Sequence, residues 1–323
     1  MGTLPGMTTL FAARSPNRLL VTCLVTTVAA CGSVTDNPAS PDAGSQVPPD
    51  GAVSVPPDGA PPIARCRPAE PFGTPTPVAG VNTDDDEIGF ALTRDELTGF
   101  VTRVVQDTPP SAILLAAKRT ALADPFGTPT QDATSSLNAV DGDELFPFPS
   151  NDALTLYFSR TISSGDPRLL TAARASVGAA FRSEAPVQLD GSPLVGRSAL
   201  PSADGETLYW VDTSSTLHSA SRGSAPGEFI TQRDLSQDEV ASPVLSTDEL
   251  TVYYANSGVA GILVATRASR SDEFGAATVL AGLDSIAGDA PVFLTSDGCV
   301  LYLKSNRPGG RGGDDLWQAQ RPR

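Results

Sequence analysis

Two short patterns recur five times, in the same order, over the C-terminal two thirds of the chain. The first is an Asp followed five residues later by an aromatic residue, and successive Asp residues lie 57, 52, 44 and 49 residues apart. The second is Ala-x-Arg, with a Phe seven residues after the Arg in the first four copies. The anchors are Asp95, Asp152, Asp204, Asp248 and Asp297, and Arg119, Arg174, Arg222, Arg267 and Arg321. Such a period indicates repeated structural units that bury their apolar residues against one another.

Each repeat unit contains the signals of four β-strands. A short apolar stretch leads into a Ser/Thr-x-Asp turn, and an unbroken apolar run follows, such as residues 156–158 (LYF) and 301–303 (LYL). A strand with one wet face would alternate, so these strands are covered on both faces, as in blades stacked around an axis. The sequence therefore predicts an all-β, five-bladed β-propeller. It would span residues 66–323, with units at about 83–139, 140–194, 195–237, 238–285 and 286–323.

The N-terminal segment is predicted to close this ring. Residues 71–76 (PFGTPT) are identical to residues 125–130, where the first unit has its fourth strand, and Arg65 repeats the Arg-to-Phe spacing before Phe72. The last unit lacks a fourth strand, so a strand at 71–79 would complete it and remove two exposed edges. Cys66 precedes that strand and Cys299 lies in the accepting blade, and an even pair of cysteines in an oxidising compartment is expected to form a disulfide. The alternative is two unrelated thiols.

The first 65 residues carry the pattern of an exported lipoprotein. Two arginines precede an apolar run at 19–30, which has the length of a signal-peptide core and is too short to span a bilayer. The run ends in Val-Ala-Ala-Cys, which resembles the bacterial lipobox, and this resemblance implies removal of residues 1–30 and acylation of Cys31. Residues 31–65, rich in Pro, Ser, Asp and Gly, are predicted to be a disordered tether. An ordinary signal peptide with a chance cysteine, or a short anchor helix, are the alternatives. We expect a protein lipid-anchored in the bacterial cell envelope, facing the periplasm or the cell surface.

The last repeat unit resembles the WD-repeat-like repeat of TolB-type β-propellers. Residues 295–302 (TSDGCVLY) precede 305–310 (SNRPGG) and 313–317 (GDDLW), close to that family's Ser-Pro-Asp-Gly turn, Leu-Tyr-Phe strand, Gly-Gly hairpin and Asp-Leu-Trp strand. The other units lack the Pro and the Gly-Gly hairpin. The resemblance therefore supports the TolB-type fold for this chain better than it supports any function of the TolB-type loops. The resemblance covers residues 70–323. It implies partner binding through the rims and central channel, while relatives of TolB gate substrate entry to peptidases.

The net charge of the chain limits the classes of partner that can be expected. The chain has 22 Lys and Arg against 37 Asp and Glu, a formal net charge of −15. Nucleic acid and anionic membrane surfaces are bound by basic faces, so neither is expected, and membrane contact would run through the lipid anchor only. A protein or saccharide of the cell envelope is the expected partner, and a monomer the expected state.

Few residues suggest catalytic or metal chemistry, and no catalytic residue is assigned. His218 is the only histidine and is expected at a solvated or half-buried strand position, which argues against a Ser-His-Asp triad and a His-based zinc site. Two acidic runs, 84–87 and 141–144, offer oxygen ligands that suit Ca²⁺, with solvated turns as the alternative. No other cofactor is expected. The predicted site residues are Cys31 for lipidation, Cys66 and Cys299 for the disulfide, and Asp84, Asp86, Asp141 and Asp143 as calcium candidates.

These features favour a binding or scaffolding module over an enzyme, because every recurring residue has an architectural role and no nucleophile–base pair is evident. The alternative is a glycoside hydrolase, which would need carboxylates about 5 to 9.5 Å apart in the propeller channel. A purely structural component of an assembly would differ from a binding module only in having a permanent partner.

Overall fold

A computed structural model describes residues 65–106, 110–138, 142–162, 165–236, 238–283 and 288–323. These residues form strands, turns and loops and contain no helix. The described part of the chain accordingly has no helix that could cross a membrane. The predicted signal peptide, the tether up to residue 64, Cys31 and Asp141 lie outside the described residues.

The strands form five sheets, which are the five blades of a β-propeller, as the repeats predict. The first blade contains β2–β4, the second β5–β8, the third β9–β14 and the fourth β15–β18, while the fifth combines β19–β21 with β1. The strands are β1 (Thr76–Pro77), β2 (Asp86–Leu92), β3 (Thr98–Val105), β4 (Ser111–Lys118), β5 (Gly142–Pro149), β6 (Thr155–Ile162), β7 (Arg168–Ala173), β8 (Arg182–Pro186), β9 (Gln188–Leu189), β10 (Ser192–Pro193), β11 (Arg197–Pro201), β12 (Thr207–Val211), β13 (Leu217–Arg222), β14 (Glu228–Asp234), β15 (Ala241–Leu245), β16 (Thr251–Asn256), β17 (Val259–Thr266), β18 (Thr278–Val279), β19 (Ala290–Leu294), β20 (Val300–Ser305) and β21 (Asp315–Gln320).

The hydrophobic core is divided among the seams between blades. Five clusters of buried side chains occur in the described residues, and each cluster combines residues of two successive blades. Between the first and second blades, for example, Phe100, Phe158 and Phe181 are all fully buried. This arrangement explains the unbroken apolar runs, because the central strands of each sheet are covered on both faces.

The N-terminal strand closes the ring in the predicted way. Strand β1 pairs antiparallel with β21, with Thr76 opposite Gln318 and Pro77 opposite Trp317. The backbone N–H of Gly73 and that of Val78 extend the pairing on either side, donating to carbonyls of the fifth blade over 2.8 and 2.9 Å. The edge of the last sheet is therefore covered by the beginning of the folded chain.

A disulfide fastens this closure. Cys66 and Cys299 are bonded, with an S–S distance of 2.06 Å and Cα atoms 5.6 Å apart, and both residues are buried. Arg65 beside it has a different role from the one its spacing suggests. Its guanidinium forms ion pairs with Glu96 and Asp297 at 2.9 and 2.8 Å, and a different arginine covers Phe72.

Three fourth strands, including the two-residue β1, are shorter than the repeat predicts, and one blade is larger. In the first blade the fourth strand is reduced to a bridge between Ala116 and Thr130, since Pro125 and Pro129 lack the N–H groups that a longer ladder needs. In the fourth blade only Thr278–Val279 remains. The third blade gains the β9–β10 hairpin, and β9 pairs parallel with β14.

The recurring Asp builds the same turn in every blade. In the third blade, the Ser202 hydroxyl donates to Asp204 Oδ1 over 2.6 Å, and that oxygen also accepts the Glu206 N–H over 3.0 Å. The other four turns make the same two bonds. The Ser202 hydrogen bond, followed by the Glu206 N–H, lowers the pKa of the Asp204 carboxyl. The Asp carboxylate is therefore engaged in hydrogen bonds within its own turn, as in an Asx turn.

The recurring Arg ties this turn to the outer strand. Arg222 Nε donates to the carbonyl of Gly205 inside the turn over 2.6 Å, and its guanidinium lies over the Phe229 ring at 5.4 Å. The arrangement recurs in all five blades, and in the fifth it joins the two ends of the folded chain, because Arg321 lies 4.0 Å from the ring centre of Phe72. The five pairs are Arg119 with Phe126, Arg174 with Phe181, Arg222 with Phe229, Arg267 with Phe274, and Arg321 with Phe72.

The same arginines also bond across the seams. Arg267 Nη2 donates to the Tyr209 hydroxyl of the preceding blade over 2.9 Å, and Arg321 Nη2 donates to Tyr253 over 3.1 Å. At the seam between the first two blades the corresponding aromatic residue is Phe100, which has no hydroxyl. Arg174 Nη2 is buried there without a hydrogen-bond partner among the described residues, and burial lowers the pKa of Arg174.

Phe100→Tyr should therefore raise the free energy of unfolding by about 1 kcal/mol, because it supplies the missing acceptor. Arg174 lies 5.9 Å from the Phe100 ring centre, close to the 5.6 Å between Arg267 and the Tyr209 ring. Urea unfolding of the two proteins measures the difference. In an Arg174→Met background the substitution should give no gain, and a gain of equal size there would show that the hydroxyl acts in some other way.

Candidate functional site

The innermost strands of the blades meet around the central axis and nearly fill it. These are β2, β5, β11, β15 and β19, and the pairing of each with the next strand contains one register shift. Such bulges bend a strand and redirect its side chains. Gly89, Phe146, Ser198, Ser242 and Pro291 line a channel cavity of about 20 Å³, which has room for about one water molecule.

A larger cavity opens where the innermost strands end, and we call it the mouth. Its volume is about 180 Å³. Its floor is apolar, with side chains from all five blades: Leu92, Phe148, Leu200, Val244, Phe293 and Leu294. Phe148 and Phe293 lie close together across the floor, with ring centres 5.8 Å apart. Prolines at 149 and 201 hold the adjoining backbone, so the floor is pre-shaped.

The rim of the mouth is formed by the variable residue of the recurring Ser/Thr-x-Asp turn. One residue comes from each blade: Arg94, Asn151, Ala203, Thr247 and Ser296. Arg94 Nη1 donates to Asn151 Oδ1 at 3.4 Å, and the Thr247 hydroxyl donates to the Ser296 carbonyl at 2.6 Å. The turn that helps to indicate the fold thus also places the candidate rim residues, at the one position of the Ser/Thr-x-Asp triplet that differs in every copy.

Glu249 is the one carboxylate among the described residues that line the mouth and the channel cavity. It is 4% exposed and has a positive φ of 64°. Its Oε2 accepts the Tyr209 hydroxyl at 2.5 Å, and its Oε1 lies 3.4 Å from Arg270. Burial, together with Glu249, raises the pKa of Tyr209 to about 12. The carboxylate is therefore engaged by the wall of the mouth rather than presented to its interior.

Three further carboxylates lie at the opposite ends of the innermost strands. Glu87, Glu144 and Asp289 belong to three adjacent blades and are almost fully buried. Each pairs with an arginine of its own blade: Glu87 with Arg103 at 2.7 Å, Glu144 with Arg160 at 2.6 Å, and Asp289 with Arg307 at 2.5 Å. Burial raises the pKa of Glu87 despite bonds from Thr83 and Arg103. The sequence held a signal for these pairs, a Glu and an Arg sixteen residues apart in both of the first two units.

The described calcium candidates each have a different hydrogen-bond or ion-pair partner. Asp84 forms an exposed ion pair with Arg311 at 3.2 Å, Asp86 Oδ1 accepts the N–H groups of Gly313 and Asp314, and Asp143 Oδ1 accepts the Ala112 N–H. Asp141 lies outside the described residues. Within the described residues, no group of three or more His, Cys, Asp or Glu side chains is arranged to hold a metal ion.

His218 lies on β13, away from the mouth, and is more deeply buried than expected. It is 4% exposed, and its ring stacks on Trp210 with centres 5.2 Å apart. Its Nδ1 lies 2.9 Å from Asp234 and its Nε2 lies 3.2 Å from Asp212. The indole and the carboxylates fix the ring within the third blade.

Comparison with known proteins identifies the fold without assigning a family. No protein-family model matches the chain, and no curated protein matches it. Among solved structures, a GH43_1 enzyme from Xanthomonas citri complexed with xylose has a TM-score of 0.56 at 10% identity, over 77% of this chain and 90% of that one. An exo-beta-1,3-galactanase from Phanerochaete chrysosporium has a TM-score of 0.53 at 12% identity, over 76% and 64%. At these identities the likeness shows the propeller fold alone.

TolB proteins, which the last repeat unit resembles, are also among the matching structures. TolB from Acinetobacter baumannii matches with a TM-score of 0.42 at 14% identity, over 74% of this chain. The chain spans 56% of the length of that TolB protein.

Proposed function

We propose that this protein is a binding module whose mouth accepts an apolar side chain of a protein partner. The observation that carries this proposal is the mouth itself, an apolar floor built from all five blades and surrounded by a rim in which four of five residues are polar. A pocket of this kind, with few polar groups around an apolar base, is the usual form of a binding site.

The size of the mouth favours a protein partner over a saccharide or a free small molecule. A cavity of about 180 Å³ is below the range of about 300 to 1,000 Å³ typical of drug-sized ligands. It suits a single residue, which at a protein interface can supply much of the binding energy when it fills a well-packed pocket. An apolar floor is also a poor match for the many hydroxyl groups of a sugar, each of which needs a hydrogen-bond partner when buried.

Ala203→Trp should abolish partner binding by closing the mouth. Ala203 is exposed on the rim, so a larger side chain can extend over the opening without disturbing the core. Affinity capture from bacterial envelope extracts would compare this variant with the wild-type protein. The matched control is Ala175→Trp, at an exposed loop position of the second blade that does not line the mouth. Equal capture by Ala203→Trp and wild type would show that the mouth is not the binding site.

We also propose that the protein acts at the bacterial envelope, held by a lipid on Cys31. The lipobox-like sequence supports this placement, and the Cys66–Cys299 disulfide agrees with export to an oxidising compartment.

Cys31→Ser should move the protein from the membrane fraction to the soluble fraction, because acylation needs the thiol. Unchanged fractionation of Cys31→Ser would contradict the anchor.

A glycoside hydrolase is the second candidate, favoured by the three carboxylates Glu87, Glu144 and Asp289 at the ends of innermost strands. Each is paired with an arginine and almost fully buried, so a substrate would have to displace those ion pairs to reach it. Because these carboxylates are buried and paired, we prefer a binding function to a hydrolase. Hydrolysis of aryl glycosides by the wild-type protein, lost in Glu144→Gln, would establish the hydrolase instead.

A further inference from the structure

The charges around the mouth indicate which residue it accepts. Of the described residues that line it, Arg94 is the only cation and Glu249 the only anion. Glu249 is buried and engaged by Tyr209 and Arg270, whereas Arg94 is exposed on the rim. The other four rim residues are uncharged.

The aspartates that follow each rim residue do not neutralise the positive charge of Arg94. Each accepts a hydroxyl and a backbone N–H within its own turn, and each turn also binds the recurring arginine of its blade. Glu96, in the same turn as Arg94, is paired with Arg65 at 2.9 Å and with Arg119 at 3.6 Å. Arg94 therefore lies beside the apolar floor without an ion-pair partner among the described residues.

Arg94 has donors available for a ligand. A guanidinium carries five N–H donors. Within the described chain its one hydrogen bond runs to Asn151 Oδ1, at a long 3.4 Å. Asn151 keeps its own amide donors on the same part of the rim. An arginine and an asparagine side by side are suited to a carboxylate, which takes charge-assisted and often bidentate hydrogen bonds from arginine.

We infer that the mouth recognises an apolar residue with a neighbouring acidic residue in a partner polypeptide, the apolar side chain entering the cavity and the carboxylate binding Arg94 and Asn151. The inference rests on the proposed binding function. Charge complementarity to Arg94 and the room for one side chain are the observations that select this occupant.

The test uses fluorescein-labelled synthetic peptides and the full-length protein in fluorescence polarisation. The probe has the sequence Gly-Ser-Asp-Leu-Asp-Ser-Gly, and two matched peptides replace both Asp by Asn, or Leu by Ser. We expect the Asp peptide to bind about tenfold more tightly than the Asn peptide, and the Ser peptide not to bind. Arg94→Gln should remove the difference between the Asp and Asn peptides, and Arg94→Lys should restore part of it.

The outcomes separate this inference from the function on which it rests. Leu-dependent binding that is indifferent to the Asp-to-Asn change, or unaltered in Arg94→Gln, would overturn the acidic requirement and leave the apolar pocket in place. Absence of any Leu-dependent binding would overturn the proposed binding function. Because Arg94 is exposed, circular dichroism of Arg94→Gln should match that of the wild type.

Discussion

Replacing both cysteines, as Cys66→Ala with Cys299→Ala, should lower the free energy of unfolding by about 2 to 5 kcal/mol. The disulfide joins residues 233 positions apart, so it removes many conformations from the unfolded chain. Both cysteines are buried at the seam between the fifth and first blades, and alanine keeps most of their apolar contact. Urea unfolding followed by the fluorescence of the buried Trp210 and Trp317 measures the loss.

The reduced wild-type protein is the control for this pair of substitutions. Reduction with dithiothreitol should lower the unfolding midpoint of the wild type to that of the double variant and leave the double variant unchanged. If the oxidised wild type and the double variant unfold at the same urea concentration, the disulfide contributes nothing to stability and the ring is held by its strands alone.

The architecture could be predicted because each blade meets the same two structural requirements. The Asp204 turn and the Arg222–Phe229 contact recur in five copies, so the sequence shows the pattern and the structure shows its cause. Spacing alone did not identify the partner of Phe72. In the other blades the arginine precedes its Phe along the chain, but in the closing blade it is Arg321, because the third strand of that blade comes from the other end of the folded chain.

The candidate site could not be predicted in the same way. Arg94 and Ser296 lie about 200 residues apart in the chain and reach one rim only because the ring closes between the fifth and first blades. A linear pattern records neither the distance across an axis nor which end of a strand faces a cavity. Glu249 illustrates the same limit, since its hydroxyl partner Tyr209 belongs to the neighbouring blade. The sequence nevertheless contained a signal for the rim residues, because they occupy the variable position x of the recurring Ser/Thr-x-Asp turn.

Phe72→Ala should lower the free energy of unfolding by about 3 to 5 kcal/mol, the usual cost of truncating a buried Phe. The ring is 3% exposed, lies under Arg321, and meets Tyr253 edge-on with ring centres 6.1 Å apart. Removing it leaves a cavity and takes away the side chain that holds the closing strand to the fifth blade. Urea unfolding of the oxidised protein measures the overall loss.

The matched control is Phe181→Ala, which removes the same type of contact in the middle of the chain, where Arg174 lies 4.5 Å from the ring centre. Both variants should lose similar stability, but they should differ in where the structure opens, because a strand at one end of the folded region can detach without unfolding the rest. With the disulfide reduced, hydrogen exchange at residues 71–79 should become rapid in Phe72→Ala, whereas in Phe181→Ala these amides should stay protected. Rapid exchange in this segment of the reduced wild-type protein would instead mean that the disulfide, and not Phe72, keeps the ring closed.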